Sequence, residues 1–269
     1  MNLIPAEYIQ IMKHFALILS FATVVTVAYS QKTEKTKGLP NMPGTIQLDY
    51  GFNRLTERPN NVRIGFWGSR TLNVYYLYDI RLGDSKFSVH PGIGFGFDRY
   101  KFINFRKSYR VNGRDTTVTR NTPTLVIDNN GNSRFEQAAL SVYDAPDSLR
   151  AVRKSMLTTT YLDFPLEFRF STNPYDPARS FKVAIGGRVG FLVNAHTKIK
   201  YADDGENKKI KDNQNFNLTP IRYSATLRMG VGNFSWFLHY NLNPLFEKDK
   251  GPARTEAGTY TIGISLAGF

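Results

Sequence analysis

Asp163, Glu167 and Arg169 share one parity of a ten-residue stretch, Tyr161-Leu-Asp-Phe-Pro-Leu-Glu-Phe-Arg-Phe170. Two carboxylates and a guanidinium on one face could serve as acid, base and electrostatic partner. Such chemistry also needs a nucleophile or a further base nearby. Beyond residue 30 the chain carries only three histidines, His90, His196 and His239, and no serine-centred nucleophile motif surrounds them. Gly92-Ile-Gly-Phe-Gly96 and Gly186-Gly-Arg-Val-Gly190 have the glycine density of a phosphate-cradling loop. Neither is followed by a helix pattern or a lysine-serine pair, which that function requires. The chain has no cysteine, so a disulfide framework and a thiolate metal site are both unavailable. These residues therefore assign no catalytic, cofactor-binding or metal site.

The element that carries them is a strand. Leu162, Phe164, Leu166, Phe168 and Phe170 occupy the opposite parity, so one face is wholly apolar while the other is charged. The same alternation recurs seven more times. Its apolar sets begin with Ile46-Leu48-Tyr50-Phe52, Leu72-Val74-Tyr76-Tyr78-Ile80-Leu82 and Phe87-Val89-Ile93-Phe95-Phe97. They continue with Phe181-Val183-Ile185-Val189-Phe191-Val193, Ile221-Tyr223-Ala225-Leu227-Met229, Phe234-Trp236-Leu238-Tyr240-Leu242 and Tyr260-Ile262-Ile264-Leu266. Connections alternate long and short: about 54–69, 106–156, 201–217 and 244–257 are long, while 83–85, 173–179 and 230–233 are short. This predicts an all-β fold, an eight-stranded antiparallel up-and-down transmembrane β-barrel spanning 44–269. A soluble barrel of the lipocalin type would turn its apolar face inward instead. Charges of both signs on the polar face and aromatics crowding the strand ends favour apolar-outside.

Residues 1–30 read as a secretory leader: Lys13-His14, an apolar run from Phe15 to Tyr29, and Ala28-Tyr29-Ser30 before a cleavage point at Gln31. The form of the leader makes Met12 the expected start. The apolar run is shorter than the ~20 residues of a spanning helix, and residues 31–43 form a polar periplasmic linker. The formal charge of +13 is dispersed through strands and loops rather than gathered in a nucleic-acid motif, so nucleic acid is not an expected partner. A mean hydropathy of −0.35 is compatible with a membrane barrel, which interleaves polar and apolar residues.

The polar parity gathers Asp49, Asp79, Arg81, Asp98, Asp163, Glu167, Arg169, Lys182, Arg188, Arg222 and Arg228. Eight strands enclose a lumen that side chains fill, and buried charges there must pair. A salt-bridged plug is expected, with a narrow ion or proton path as the alternative. The glycine clusters are expected to make room for Arg188 and Tyr161, and Pro165 to mark a bulge or weakened pairing. His90 should lie near a short turn, with His196 and His239 toward the long-loop end.

Tyr161-Leu-Asp-Phe-Pro-Leu-Glu-Phe168, Ala184-Ile-Gly-Gly-Arg-Val-Gly-Phe-Leu192, Asn243-Pro-Leu-Phe246, Gly251-Pro252 and Thr261–Phe269 carry a resemblance. Through them the chain resembles the PorT-like outer-membrane β-barrel proteins of Bacteroidetes. The resemblance implies residence in the outer membrane and insertion by the barrel-assembly machinery. It also implies one alternative to a structural or interaction role, an accessory part in type IX secretion; the lumen charges offer a narrow channel as another. A barrel enzyme is a further alternative. Phe269 falls out of phase with Ile262, Ile264 and Leu266, which requires an irregular end.

Arg106, Lys107, Arg110, Arg114 and Arg120 open the longest loop, 106–156, which is the expected contact surface. Its partner would be a protein, or the outer-membrane lipid and lipopolysaccharide whose phosphates these cations neutralise. Asn130-Gly131 could turn a small hairpin within it. The long loops are expected outside the cell and both termini in the periplasm.

Overall fold

A computed structural model describes residues 44–56, 62–103, 105–111, 114–120, 122–138, 152–173, 175–176, 179–203, 206–254 and 256–267. The expected leader, start and linker, and Phe269, lie outside them. Eight strands form the wall: β1 Gly44–Leu55, β2 Arg70–Tyr78, β3 Phe87–Ile103, β4 Val152–Ser171, β5 Phe181–Asp203, β6 Ile221–Val231, β7 Phe234–Asn241 and β8 Thr259–Ala267. Each pairs antiparallel with its neighbours in the chain, and β8 returns to β1 with Gln47 opposite Ala267 and Leu55 opposite Thr259. The ring is closed. Closure leaves no strand edge with unpaired amides, as crossing lipid requires.

Parity sorts the residues by face. Phe95, Phe97, Phe164, Leu166, Ile185, Trp236 and Ile262 are all exposed, whereas Asp49, Asp163, Glu167, Arg188, Arg222 and Arg228 are buried. This inverts the distribution of a soluble protein, in which charged side chains are almost never fully buried. An apolar belt of this kind around a closed ring suits contact with lipid. The short connections gather at one end, where Gly232-Asn233 turns β6 into β7 with a φ of +60° at Gly232. A side chain at Gly232 would be strained by that φ.

Three details refine the sequence reading. The second strand breaks at Asp79, and Ile80–Arg81 forms a two-residue bridge to β3. Pro165 marks the weakened pairing rather than the bulge: β4 and β3 keep one register from Asp163 opposite Gly94 to Leu166 opposite Pro91, and the ladder is open between them. A proline lacks the amide donor, so the ladder is interrupted without being shifted. The bulge lies higher. Thr160 stands opposite Asn194 but Tyr161 opposite Leu192, so Val193 is an extra residue on β5. The inserted residue inverts the parity above it, placing Ala195, Thr197 and Ile199 inside and His196, Lys198 and Lys200 outside.

The wall is uneven in height. β3, β4 and β5 run 17, 20 and 23 residues, against the 9–11 that cross a bilayer. The expected loops therefore contain strands. Phe105–Val111 pairs with Arg114–Arg120, Pro123–Ile127 with Ser133–Gln137, and Glu206–Asn213 with the top of β5. β4 begins at Val152, inside the stretch expected to be loop. Asn130-Gly131 does lie in a turn, with Gly131 at φ +77° and the Asp128 carboxylate accepting from the Asn130 and Asn132 amides.

Candidate functional site

Two ion clusters occupy the lumen. In the first, Arg222 on β6 donates to both oxygens of Asp163 on β4, at 3.0 and 2.6 Å, and to Asp98 on β3 at 2.5 Å. Arg188 on β5 donates to Tyr75 Oη at 2.7 Å and lies 3.4 Å from Asp163; Tyr75 in turn donates to Asp163 at 2.9 Å. The Arg222 guanidinium stacks 4.0 Å from the Tyr161 ring centroid. Thr71 and Asn53 donate to the remaining Asp98 oxygen, Oδ1.

In the second cluster, Arg228 on β6 forks onto Asp49 of β1 at 2.9 and 3.1 Å and onto Glu167 of β4 at 3.1 and 3.2 Å. Arg169 reaches Glu167 at 3.1 Å. His239, buried, lies 3.4 Å from Asp49 and 3.1 Å from Thr226 Oγ1. Arg222 and Arg228 thus each meet two carboxylates, one of them through both oxygens: Asp163 for Arg222 and Asp49 for Arg228.

Glycines make this density of ions fit. A Cβ on Gly96 would collide with Arg222 Nη2 and Asp163 Oδ2, and one on Gly190 with Asp163 Oδ1 and Arg222 Nε. The space serves Arg222 and Asp163 rather than Arg188 and Tyr161, as the sequence had suggested. Gly92 instead makes room for Leu77 and the Tyr76 carbonyl, which would lie 2.5 and 2.6 Å from such a Cβ, with Pro165 Cγ at 3.2 Å.

Asp79 and Arg81 stand apart from both clusters, at the short-turn end. Asp79 accepts from Thr45 at 3.0 Å and contacts His90 Nδ1 at 2.6 Å, while His90 Nε2 meets Ser88 at 2.7 Å. Burial raises the Asp79 pKa, but the His90 contacts and the Thr45 hydroxyl outweigh it, so the carboxyl sits below its ordinary value. A cavity of about 270 Å³ opens here, lined by Asp79, Arg81, His90, Arg169 and Lys182 among others. Arg81 is exposed on its rim while still paired with β3 opposite Ser88. His239 is a hydrogen-bonded lumen histidine, as its strand parity leads one to expect, whereas His196 faces outward on β5.

The opposite mouth is covered. Phe102, Leu157 and Ala195 of the tall strands pack with Val62, Ile64, Leu125, Phe216, Leu218, Leu245 and Phe246 from the connections. Phe135 of the small hairpin meets Phe102 edge-on at 5.1 Å. Ser133 of the same hairpin donates to the Phe216 carbonyl at 2.5 Å, tying two long connections together. The backbones of Arg106, Lys107, Arg110, Arg114 and Arg120 lie in the first hairpin above β3; their side chains lie outside the described residues. Among the described residues no group of histidines and carboxylates has metal-binding geometry. The sequence reading missed Tyr75 and this cap. Tyr75 shares the inward parity of Thr71 and Asn73, which was the available signal.

A closed ring with lipid-compatible apolar walls and an ion-filled interior defines an integral membrane β-barrel protein. Residues 41–247 match the family described as outer membrane protein beta-barrel domain, so the chain belongs to that family and to the outer membrane. Among solved structures it is similar to Ail, the attachment invasion locus protein of Yersinia pestis, in complex with the heparin analogue sucrose octasulfate. That likeness has 15% identity over 84% of this chain and 99% of the other, with a TM-score of 0.32. A second Ail structure gives 15% identity, 83% and 97% coverage and the same TM-score. A comparison with curated proteins finds no match.

Proposed function

We propose that this protein works through its long-loop rim, as a structural or interaction component of the outer membrane, with its lumen closed by its own side chains. The observation that carries this reading is the double closure of the channel axis: two ion clusters across the lumen, then an apolar cap over one mouth. Paired, buried guanidinium groups are costly to separate, so they do not make way for ions readily. In the rim the small hairpin Pro123–Gln137 is tied through Ser133 to two other long connections, at Phe216 and Lys250, which suits a fixed contact surface.

In this reading the long-loop rim faces outside the cell and both chain ends face the periplasm. Residues 1–30 are removed as a leader during export. The resemblance to PorT-like proteins of Bacteroidetes fits this placement. Planar-bilayer recording tests closure: the purified barrel should give no discrete conductance steps, and a stable open channel would sink the reading. Native purification tests contact. A co-purifying protein should be lost when Pro123–Gln137 is replaced by a Gly-Ser linker, and unchanged recovery would remove the rim from that role.

A further inference from the structure

The bulge at Val193 leaves a consequence on the outer wall. Above the last lipid-facing aromatics, Phe97 and Phe191, four adjacent strands turn one face outward: the tops of β3, β4 and β5, and Glu206–Asn213. Register aligns that face in rows. Lys101, Met156, Lys198 and Lys211 lie side by side, with Met156 buried between the lysines, and one step higher lie Lys154, Lys200 and Lys209. Arg99 and His196 flank Thr158 in the lowest row. The acids of the outer strand, Glu206 and Asp212, fall on the other parity, opposite Asp203 and Thr197.

This face is therefore cationic without acids among its outward residues. Lys198 stands directly opposite Lys211, Lys200 opposite Lys209, and Lys154 opposite Lys200. Like charges in directly opposed pairs destabilise a sheet. Among the described residues, none of these lysines has a carboxylate partner. Burial and the surrounding Arg99, Lys101, Lys200 and Lys198 hold the Lys154 amine, beyond the lipid band, below the ordinary lysine value. Folding alone gives no compensation for this arrangement; an external anion does.

The position selects the anion. Two residues of strand rise about 7 Å, so Arg99 sits just above Phe97, at headgroup depth, and the lysine rows follow above it. Lysine stems lie along apolar surface and deliver their ammonium groups toward lipid phosphates. We propose that this outward face of β3, β4, β5 and Glu206–Asn213 is a binding site for the phosphorylated sugar headgroup of an outer-leaflet glycolipid. Its acyl chains would lie against Phe95, Phe97, Phe164 and Phe191. The proposal rests on the reading that the long-loop rim faces outside.

The test uses the full-length barrel in phosphatidylcholine nanodiscs doped with diphosphoryl lipid A, with bound lipid counted by native mass spectrometry. The assay presents lipid A on both faces, so it does not depend on orientation; surface labelling of cysteines introduced into the rim, in intact cells, tests orientation separately. Wild type should retain diphosphoryl lipid A in preference to its dephosphorylated form. A basic side chain near an anionic surface contributes on the order of a fivefold change in affinity. The triple variant Lys198→Gln, Lys200→Gln, Lys211→Gln should therefore lose on the order of 100-fold, and the matching arginine variant should restore retention. Heat-shifted mobility in detergent gels confirms that each variant is folded. Equal retention by the triple variant would overturn the proposal. So would indifference to the phosphates, or tighter retention of a soluble sulfated polysaccharide that displaces lipid A.

Discussion

Arg222 and Asp163 bond through both carboxylate oxygens although β6 and β4 are not neighbours; β5 passes between them with Gly190 at the crossing point. The pair, with Asp98, ties three strands of the wall across the lumen. Removing one partner of a buried ion cluster leaves an uncompensated charge and costs about 3–5 kcal/mol. Arg222→Ala should lower stability by that amount in urea unfolding from lipid vesicles. Replacing Arg222, Asp163 and Asp98 together by apolar residues should cost less than Arg222→Ala alone. A loss below about 0.5 kcal/mol for Arg222→Ala, the range of ordinary surface changes, would contradict the plug.

Tyr75 binds the same cluster through its hydroxyl, donating to Asp163 and accepting from Arg188. Tyr75→Phe keeps the ring and removes both bonds. The expected cost is about 1–3 kcal/mol in the same unfolding assay, with no change in barrel assembly.

Gly190→Ala places a methyl against Asp163 and Arg222, whereas Gly187→Ala meets only the Ser224 carbonyl, at 3.2 Å. Overpacking a filled interior costs about 1–3 kcal/mol. Gly190→Ala should show that loss and Gly187→Ala clearly less, measured side by side. Equal effects would mean that strand flexibility, not lumen space, selects these glycines.

The Asp79 contacts should appear in the pH dependence of stability. Its folded pKa lies below its unfolded value, so the contribution is present above the unfolded pKa of about 3.9. It is lost as pH falls through the lower, folded value. Asp79→Asn should flatten this acid limb of the unfolding midpoint, and an unchanged limb would assign it to other carboxylates.

Much of the barrel was legible because lipid and lumen impose opposite chemistry on alternate residues. Leu162, Phe164 and Leu166 announce one side, Asp163 and Glu167 the other. That rule fails where a single residue resets it. His196 and Lys198 read as lumenal by continuous alternation, and only the pairing of Thr160 and Tyr161 with Asn194 and Leu192 reveals the reset at Val193. Partner choice within the lumen was also hidden. Arg228 could have met any acid of the inward set; its selection of Asp49 and Glu167 follows from shear and ring closure, which sequence spacing does not encode. The apolar cap escaped because Leu125, Phe216 and Phe246 come from connections, where no repeating pattern marks a buried face.

The seam between β1 and β8 is held by the same ladder as every other pair, with Gln47 opposite Ala267. The position of the chain's ends is thus a convention of connectivity rather than a weak point in the wall. Joining the two ends through a short linker and opening the chain between Asp203 and Glu206 should give a circularly permuted barrel with all eight pairings intact. Such a molecule would carry its new ends on the opposite side of the membrane, beside the lysine rows.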